Sequence, residues 1–136
     1  MIDYGQIVEQ MKQRHGIRVR RWRSSMSGCA WRVYRCDGMV LNWIESPRPR
    51  TPISLAIFLH EVGHHVIGFD TYRQRCVEEY YAWMWAIAQL GHLGIEPDAR
   101  VRRRLQLSLQ YAVGKALRRG LKDLPAELSE YAPMAA

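Results

Sequence analysis

The sequence is poor in cysteine and has no long apolar segment. Its 136 residues include three cysteines, an odd number without a C-x-x-C pair: Cys29, Cys36 and Cys76. Reduced thiols in the cytoplasm suit this usage better than the disulfide framework of a small secreted domain. No apolar run approaches the roughly 20 residues of a membrane-spanning helix, so we expect no association with a membrane.

The N-terminal segment lacks the pattern of an export signal. The stretch MIDYGQIVEQMKQRHG has no basic region followed by an apolar one, and an export signal requires both. Internal repeats and low-complexity stretches are absent too. Apolar residues make up 48% of the chain and charged residues 24%, which is the composition of a globular protein. We therefore expect a cytoplasmic protein with a single domain over residues 1–125 and a tail at 126–136.

Acidic residues are fewer than basic ones. The chain has 13 aspartates and glutamates against 20 lysines and arginines, a net charge of +7. Such a surface favours a nucleic acid or an acidic protein as partner, although many basic domains bind neither. Eight of the basic residues lie in 98–122, where apolar spacing predicts a final helix. Its charged side chains form either a solvated face or a docking surface for DNA or an acidic substrate protein.

The spacing of apolar residues predicts an α+β fold. Helical spacing at the start of the chain is followed by alternation of apolar residues and arginines in IRVRRWR, which is typical of a half-buried strand. Asp37-Gly38 favours a tight turn between two further strands, so we expect a small three-stranded sheet of the antiparallel type. Thr51-Pro52 is a good helix start. The predicted elements are a helix over 3–14, strands over 17–23 and within the hairpin 29–45, and helices over 52–67, 74–90 and 98–119.

The predicted helix 52–67 carries the pattern H-E-x-x-H. Residues four apart lie one above the other on a helix, so His60 and His64 can point two imidazoles at one metal ion. Imidazole is a good ligand for Zn²⁺. Glu61 lies about 100° around the helix, near the ion but not aimed at it. It is therefore placed to take a proton from a metal-bound water and pass it to a leaving amine.

Two histidines do not complete a catalytic zinc site, which usually has three protein ligands. The helix 74–90 offers Glu78 and Glu79. We choose Glu79 as the third ligand, because Ala82 and Ala86 share its face and would let the two helices approach closely. Glu78 shares a face with larger side chains, so we expect it to be a solvated charge, although the sequence does not decide between the two glutamates.

Other polar residues near the motif have less defined roles. His65 lies about 100° from His64, so we expect it to be a supporting or surface residue, with substrate contact as the alternative. Oxyanion stabilisation in such a site also needs a hydrogen-bond donor near the metal. The sequence does not rank the candidates, which are Tyr72, Arg73, Tyr80 and Tyr81.

The two helical motifs resemble those of small gluzincins, which are zinc metallopeptidases with H-E-x-x-H on one helix and a glutamate on the next. The stretch from Glu79 to Ala82 is similar to their E-x-x-A pattern, and Trp85 and Ala86 fit its continuation. The chain most resembles the ImmA/IrrE-type domain over residues 1–90. It departs from that family at Trp83, where asparagine or aspartate is common. The peptidase-like domain of ArdC-type antirestriction proteins is the second resemblance.

These resemblances imply a zinc metallopeptidase with His60, His64 and Glu79 as ligands and Glu61 as general base. The ImmA/IrrE-type family implies cleavage of a regulatory protein, often a DNA-binding repressor, whereas ArdC implies work near DNA. The alternative is a zinc-containing, peptidase-like module without activity that binds nucleic acid or a protein partner through its basic surface. The sequence does not identify the substrate or the oligomeric state.

Overall fold

The computed structural model describes residues 1–133. Along the chain, one helix is followed by three strands and then by three further helices. The α+β class expected from the sequence is confirmed. The elements are α1 (Tyr4–His15), β1 (Ile17–Arg23), β2 (Cys29–Tyr34), β3 (Val40–Pro47), α2 (Pro52–Ile67), α3 (Arg75–His92), α4 (Ala99–Arg118) and a short 3₁₀ helix (Ala126–Tyr131).

Local signals in the sequence set the limits of α1 and α2. Gly16 ends α1 in the left-handed region, with φ of 62°, a conformation that glycine adopts without steric cost. Thr51 begins α2 through a capping box with Ser54, and Pro52 occupies the first turn. Both signals satisfy or remove backbone N–H groups that would otherwise lack a partner at the helix start.

The three-stranded sheet is mixed, which corrects the antiparallel arrangement expected from the sequence. Strand β2 pairs with β3 in the predicted antiparallel hairpin. Strand β1 pairs with the other edge of β3 and runs parallel to it, so the strand order is β1-β3-β2. Residues 44–47 of β3 are all buried. The strand with the most buried residues takes the centre, where neighbours on both edges cover its backbone.

A β-bulge in β1 arranges its arginines and apolar residues. The register with β3 shifts between Val19 and Arg21, and one extra residue moves the following side chains to the opposite face. Trp22 therefore joins Val19 against the core, with its ring 6.0 Å from that of Phe58. The intervening arginines contact the carboxylate of Glu45 on β3 instead.

The loop between β1 and β2, residues 24–28, passes the end of β3, because its two strands lie on opposite sides of β3. This path brings Gly28 next to the backbone of Glu45 and to the side chain of Glu61 on α2. The sheet thus delivers a loop to the middle of the H-E-x-x-H helix.

Helix α2 is the centre of the molecule. Every residue from Ile53 to His65 is buried, because the sheet, α1, α3 and α4 all contact this helix. A helix that is buried all round needs a partner for each polar side chain it carries.

The segment after Pro125, which we expected to be a tail, forms the 3₁₀ helix. Leu128 and Tyr131 are buried there, and the hydroxyl of Tyr81 on α3 donates to Glu127 Oε1 at 3.4 Å. Residues 134–136 of the expected tail lie outside the described residues. Within residues 1–133, no helix is both long enough and apolar enough to cross a membrane.

Candidate metal centre

Three side chains from α2 and α3 converge at one point. His60, His64 and Glu79 each offer a ligand atom, and these atoms all lie within 4.8 Å of one another. Nε2 of His60 lies 2.8 Å from Oε2 of Glu79, and Nε2 of His64 lies 3.2 Å from the other carboxylate oxygen. Both histidines are buried and Glu79 is largely so. The three residues predicted as ligands are therefore together, in a group that can hold a metal ion.

Small residues allow α2 and α3 to approach this closely. A Cβ atom on Gly63, inside the H-E-x-x-H motif, would lie 2.8 Å from the carbonyl oxygen of Ala82 on α3. Ala82 and Ala86 are completely buried. The close approach of α2 and α3 expected at the small residues of α3 is therefore present at Ala82.

The expectation that Glu78 is a solvated charge is wrong. Its carboxylate Oε2 lies 2.6 Å from Nδ1 of His64, and both side chains are only 2% exposed. The first turn of α3 lies beside α2, so Glu78 and Glu79 both contact His64, one at each of its two ring nitrogens. When Glu78 accepts a hydrogen bond from Nδ1–H of His64, the Nε2 atom that faces Glu79 is left with its lone pair available for a metal ion.

Arg75 is a member of the site that sequence reasoning missed. Its Nη1 donates to Oε2 of Glu78 at 2.9 Å, and its Nη2 lies 3.2 Å from Oε1 of Glu79. An arginine three and four residues before a pair of glutamates on a helix is the signal that would have found it. The guanidinium holds both carboxylates in place, while its own side chain stays 62% exposed.

Trp83 on α3 packs against the imidazole of His60. Its ring stacks on the imidazole with centroids 4.3 Å apart and planes inclined by 12°, and its side chain is fully buried. The residue at which the chain departs from the ImmA/IrrE-type pattern thus lies directly against a proposed ligand. The stacking fixes the plane of the His60 ring.

Burial and hydrogen bonding oppose one another in this cluster. Burial alone would lower the pKa of His64, but hydrogen bonds with Glu78 and Glu79 outweigh it and raise the pKa to about 9. Burial likewise acts to lower the pKa of His60, and Glu61 and Glu79 raise it overall. Burial acts to raise the pKa of Glu79, but the two histidines hold it well below its usual range. The carboxylate of Glu79 therefore stabilises the protonated form of the two imidazoles, and they stabilise its ionised form.

Glu61 lies beside the ligand group without belonging to it. Its Oε2 is 3.6 Å from Nδ1 of His60, and the side chain is buried. Gly28 packs directly against it: a Cβ atom at residue 28 would lie 2.7 Å from Oε2 of Glu61 and 2.8 Å from the carbonyl oxygen of Glu45. Gly28 therefore packs on the carboxylate with its backbone, and a side chain at this residue would collide with it.

Glu45, beneath that loop, is surrounded by arginines of β1. Arg20 Nη1 donates to it at 2.6 Å and Arg23 Nε at 2.9 Å, and these bonds hold the pKa of Glu45 below its usual range. Arg23 also donates to the hydroxyl of Ser27 at 3.1 Å. This network fixes the loop whose last residue, Gly28, contacts Glu61.

His65 connects α2 to the sheet. Its Nε2 donates to the carbonyl oxygen of Trp43 on β3 at 2.9 Å. Burial lowers its pKa, and the hydrogen bond to Trp43 only partly offsets this. The residue is 7% exposed, so it is not a surface histidine, and its contact is with the protein's own backbone.

His60 and Glu79 of the group that can hold a metal line a cleft with a cavity of about 1090 Å³ between the start of α3 and one face of α4, whereas His64 is not among its lining residues. His60, Glu79 and Gly28 lie on one side of it. Of the four candidate oxyanion donors, Arg73 lines this cleft. Tyr72 instead stacks on Tyr81, with ring centroids 4.8 Å apart. The cleft therefore leaves part of the group that can hold a metal accessible to a ligand.

Comparisons with protein-family models, with curated proteins and with solved structures find no match to this chain. The chemistry of the site is therefore the basis on which its function can be argued.

Proposed function

We propose that this protein is a zinc-dependent metallopeptidase. The observation that carries the proposal is the convergence of His60, His64 and Glu79, with Glu61 beside them and outside the ligand group. Two imidazoles and one carboxylate are the donor set of many catalytic zinc sites, which leave a position open for water and substrate. A purely structural site has no need for a buried carboxylate next to its ligands.

The residues around the ion would have separate tasks. Bound Zn²⁺ supplies a Lewis acid that polarises a peptide carbonyl and lowers the pKa of water. Oε2 of Glu61 accepts a proton from the attacking water and returns it to the nitrogen of the leaving amine. Glu78 and Trp83 orient His64 and His60, since a ligand ring held in one plane and one tautomer binds the ion with less loss of freedom.

We extend the proposal to the class of substrate and to the compartment through the resemblance of the two helical motifs to ImmA/IrrE-type gluzincins. On that basis the substrate is a specific intracellular protein, such as a regulatory or DNA-binding protein, and the peptidase acts in the cytoplasm. The three cysteines are unpaired, which agrees with a reducing compartment.

Metal content and cleavage test the proposal together. We expect His60→Ala to lose the near-stoichiometric zinc of the purified protein, whereas His92→Ala, at the exposed end of α3, keeps it. Glu61→Gln should retain zinc and lose cleavage of a peptide library, because an amide cannot take up the proton. Zinc-free wild-type protein, or a fully active Glu61→Gln variant, would contradict the proposal.

A second candidate function is a non-catalytic module that binds nucleic acid through α4. The observation that favours it is the exposed, basic start of that helix, with Arg100, Arg102 and Arg103 side by side. Binding through phosphates would weaken steeply with salt. DNA affinity that falls in Arg100→Gln/Arg103→Gln, in a protein that cleaves no peptide, would favour this function.

A further inference from the structure

The cleft in front of the metal ligands is lined almost entirely by one sign of charge. Its only acidic lining residue among the described ones is Glu79, which the metal site uses. Five cationic side chains line the same cavity: Arg73, Arg75, Arg104, Lys115 and Arg119.

Three of these cations are free to bind a ligand. Arg75 is engaged with the glutamates of α3, and Arg104 donates to Ser108 and to the carbonyl oxygen of Met26. Arg73, Lys115 and Arg119 form no salt bridge with another residue of 1–133. Like charges collected around one cavity without acidic partners create a positive potential that attracts an anionic ligand.

Helix α4 adds apolar contacts between the cations. Leu107 and Tyr111 line the cleft and are 49% and 66% exposed. They follow Arg104 at helical spacing and precede Lys115 and Arg119 on the same face. The stretch from residue 104 to residue 119 extends over about 22 Å at 1.5 Å per residue. An extended peptide of about seven residues has the same length.

We infer that this cleft binds an acidic segment of a polypeptide, with carboxylates against Arg73, Lys115 and Arg119 and an apolar side chain against Leu107 and Tyr111. The inference rests on the proposed peptidase function and names the class of its substrate. Whatever fills the cleft reaches His60 and Glu79. An occupant that is both hydrolysed as a peptide and complementary to these cations is an acidic polypeptide.

A nucleic acid is the weaker match to the cleft. Three of the four arginines at the start of α4, Arg100, Arg102 and Arg103, are not among the cleft-lining residues. A strand that binds through its phosphates would use the open start of α4 rather than the cleft.

The inference can be tested with zinc-loaded Glu61→Gln protein and a fluorescent peptide in which glutamates flank a leucine. We expect binding measured by anisotropy to weaken with rising salt. The matched peptide with glutamine at every glutamate should bind at least about tenfold more weakly. The further substitutions Lys115→Gln/Arg119→Gln in the same Glu61→Gln protein should weaken binding of the acidic peptide about tenfold, since they remove two exposed ion pairs.

The matched control is Arg100→Gln/Arg103→Gln, which removes two charges from the same helix outside the cleft and should leave peptide affinity within about twofold. Three results would overturn the inference. They are equal binding of the two peptides, an equal loss of peptide affinity in the control variant, and a cleft variant that loses affinity for a labelled DNA strand but not for the acidic peptide. Wild-type protein that cleaves both peptides equally would overturn it and leave the peptidase standing. Charge-dependent binding without cleavage of any peptide would leave the inference standing and remove the peptidase.

Discussion

The two sides of the cleft hold their charges in different ways. On the side of α2 and α3, the histidines and glutamates of the group that can hold a metal have fixed partners, as Glu78 has in His64 and Arg75. On the side of α4, Lys115 and Arg119 form no salt bridge within residues 1–133. Buried polar groups are costly without partners, whereas exposed ones are solvated. The first side is therefore built for a fixed geometry, and the second keeps its charges available for a ligand.

This difference predicts that substitutions on the α2–α3 side are costly and those on the α4 side are mild. The largest effect in this series is expected at Glu78. Glu78→Gln should weaken zinc affinity about 10- to 100-fold, because an amide orients His64 and raises its basicity less well than a carboxylate does. Competition with a chelator measures this effect.

The control for Glu78→Gln is Glu96→Gln in the loop before α4, where the side chain is exposed. Equal zinc affinity of the two variants would mean that the buried contact between Glu78 and His64 does not support the ligand.

The second effect concerns the packing over Glu61. Gly28→Ala should lower the free energy of unfolding by on the order of 1 kcal/mol, since the new Cβ would press on Glu61 and on the backbone of Glu45. Cleavage should fall as well, because Glu61 must move. Thermal unfolding and peptide hydrolysis measure the two consequences.

Gly91→Ala provides the comparison for Gly28→Ala, since a Cβ at residue 91 would meet nothing within 4 Å. If Gly28→Ala were as stable and as active as Gly91→Ala, the close approach of the loop to Glu61 would have no energetic importance.

The smallest effect is expected on α4. Lys115→Gln should change the free energy of unfolding by less than about 0.5 kcal/mol, because the ammonium group has no partner in the fold to lose. Urea unfolding measures it. A loss as large as that of Gly28→Ala would show that the cleft cations stabilise the fold instead of awaiting a ligand.

Part of the site could be read from the sequence because its signals are local. The four-residue spacing of His60 and His64 places them on one helix face wherever that helix lies. Ala82 and Ala86 indicated which face of α3 would pack closely. Glu78 was misjudged because its neighbours on α3 are large, and their size says nothing about where the first turn of α3 begins relative to α2.

The role of Trp83 shows the same limit. In the sequence it is a departure from a family pattern, and in the structure its ring lies against His60. The spacing of residues along α3 predicts that Trp83 follows Ala82 around the helix, but not which ring of α2 it meets. That depends on how far the two helices are displaced along their axes.

The sequence by itself determined the α+β class, the helix and strand limits marked by Gly16 and Thr51, and the pairing of His60 with His64, because each depends on neighbours within a few residues. Only the tertiary structure decided that β1 runs parallel to β3, that Gly28 packs on Glu61, and that cations of α4 line the same cleft as His60 and Glu79. These contacts join segments far apart in the chain. Their geometry follows from how the whole core packs, which no short stretch of sequence contains.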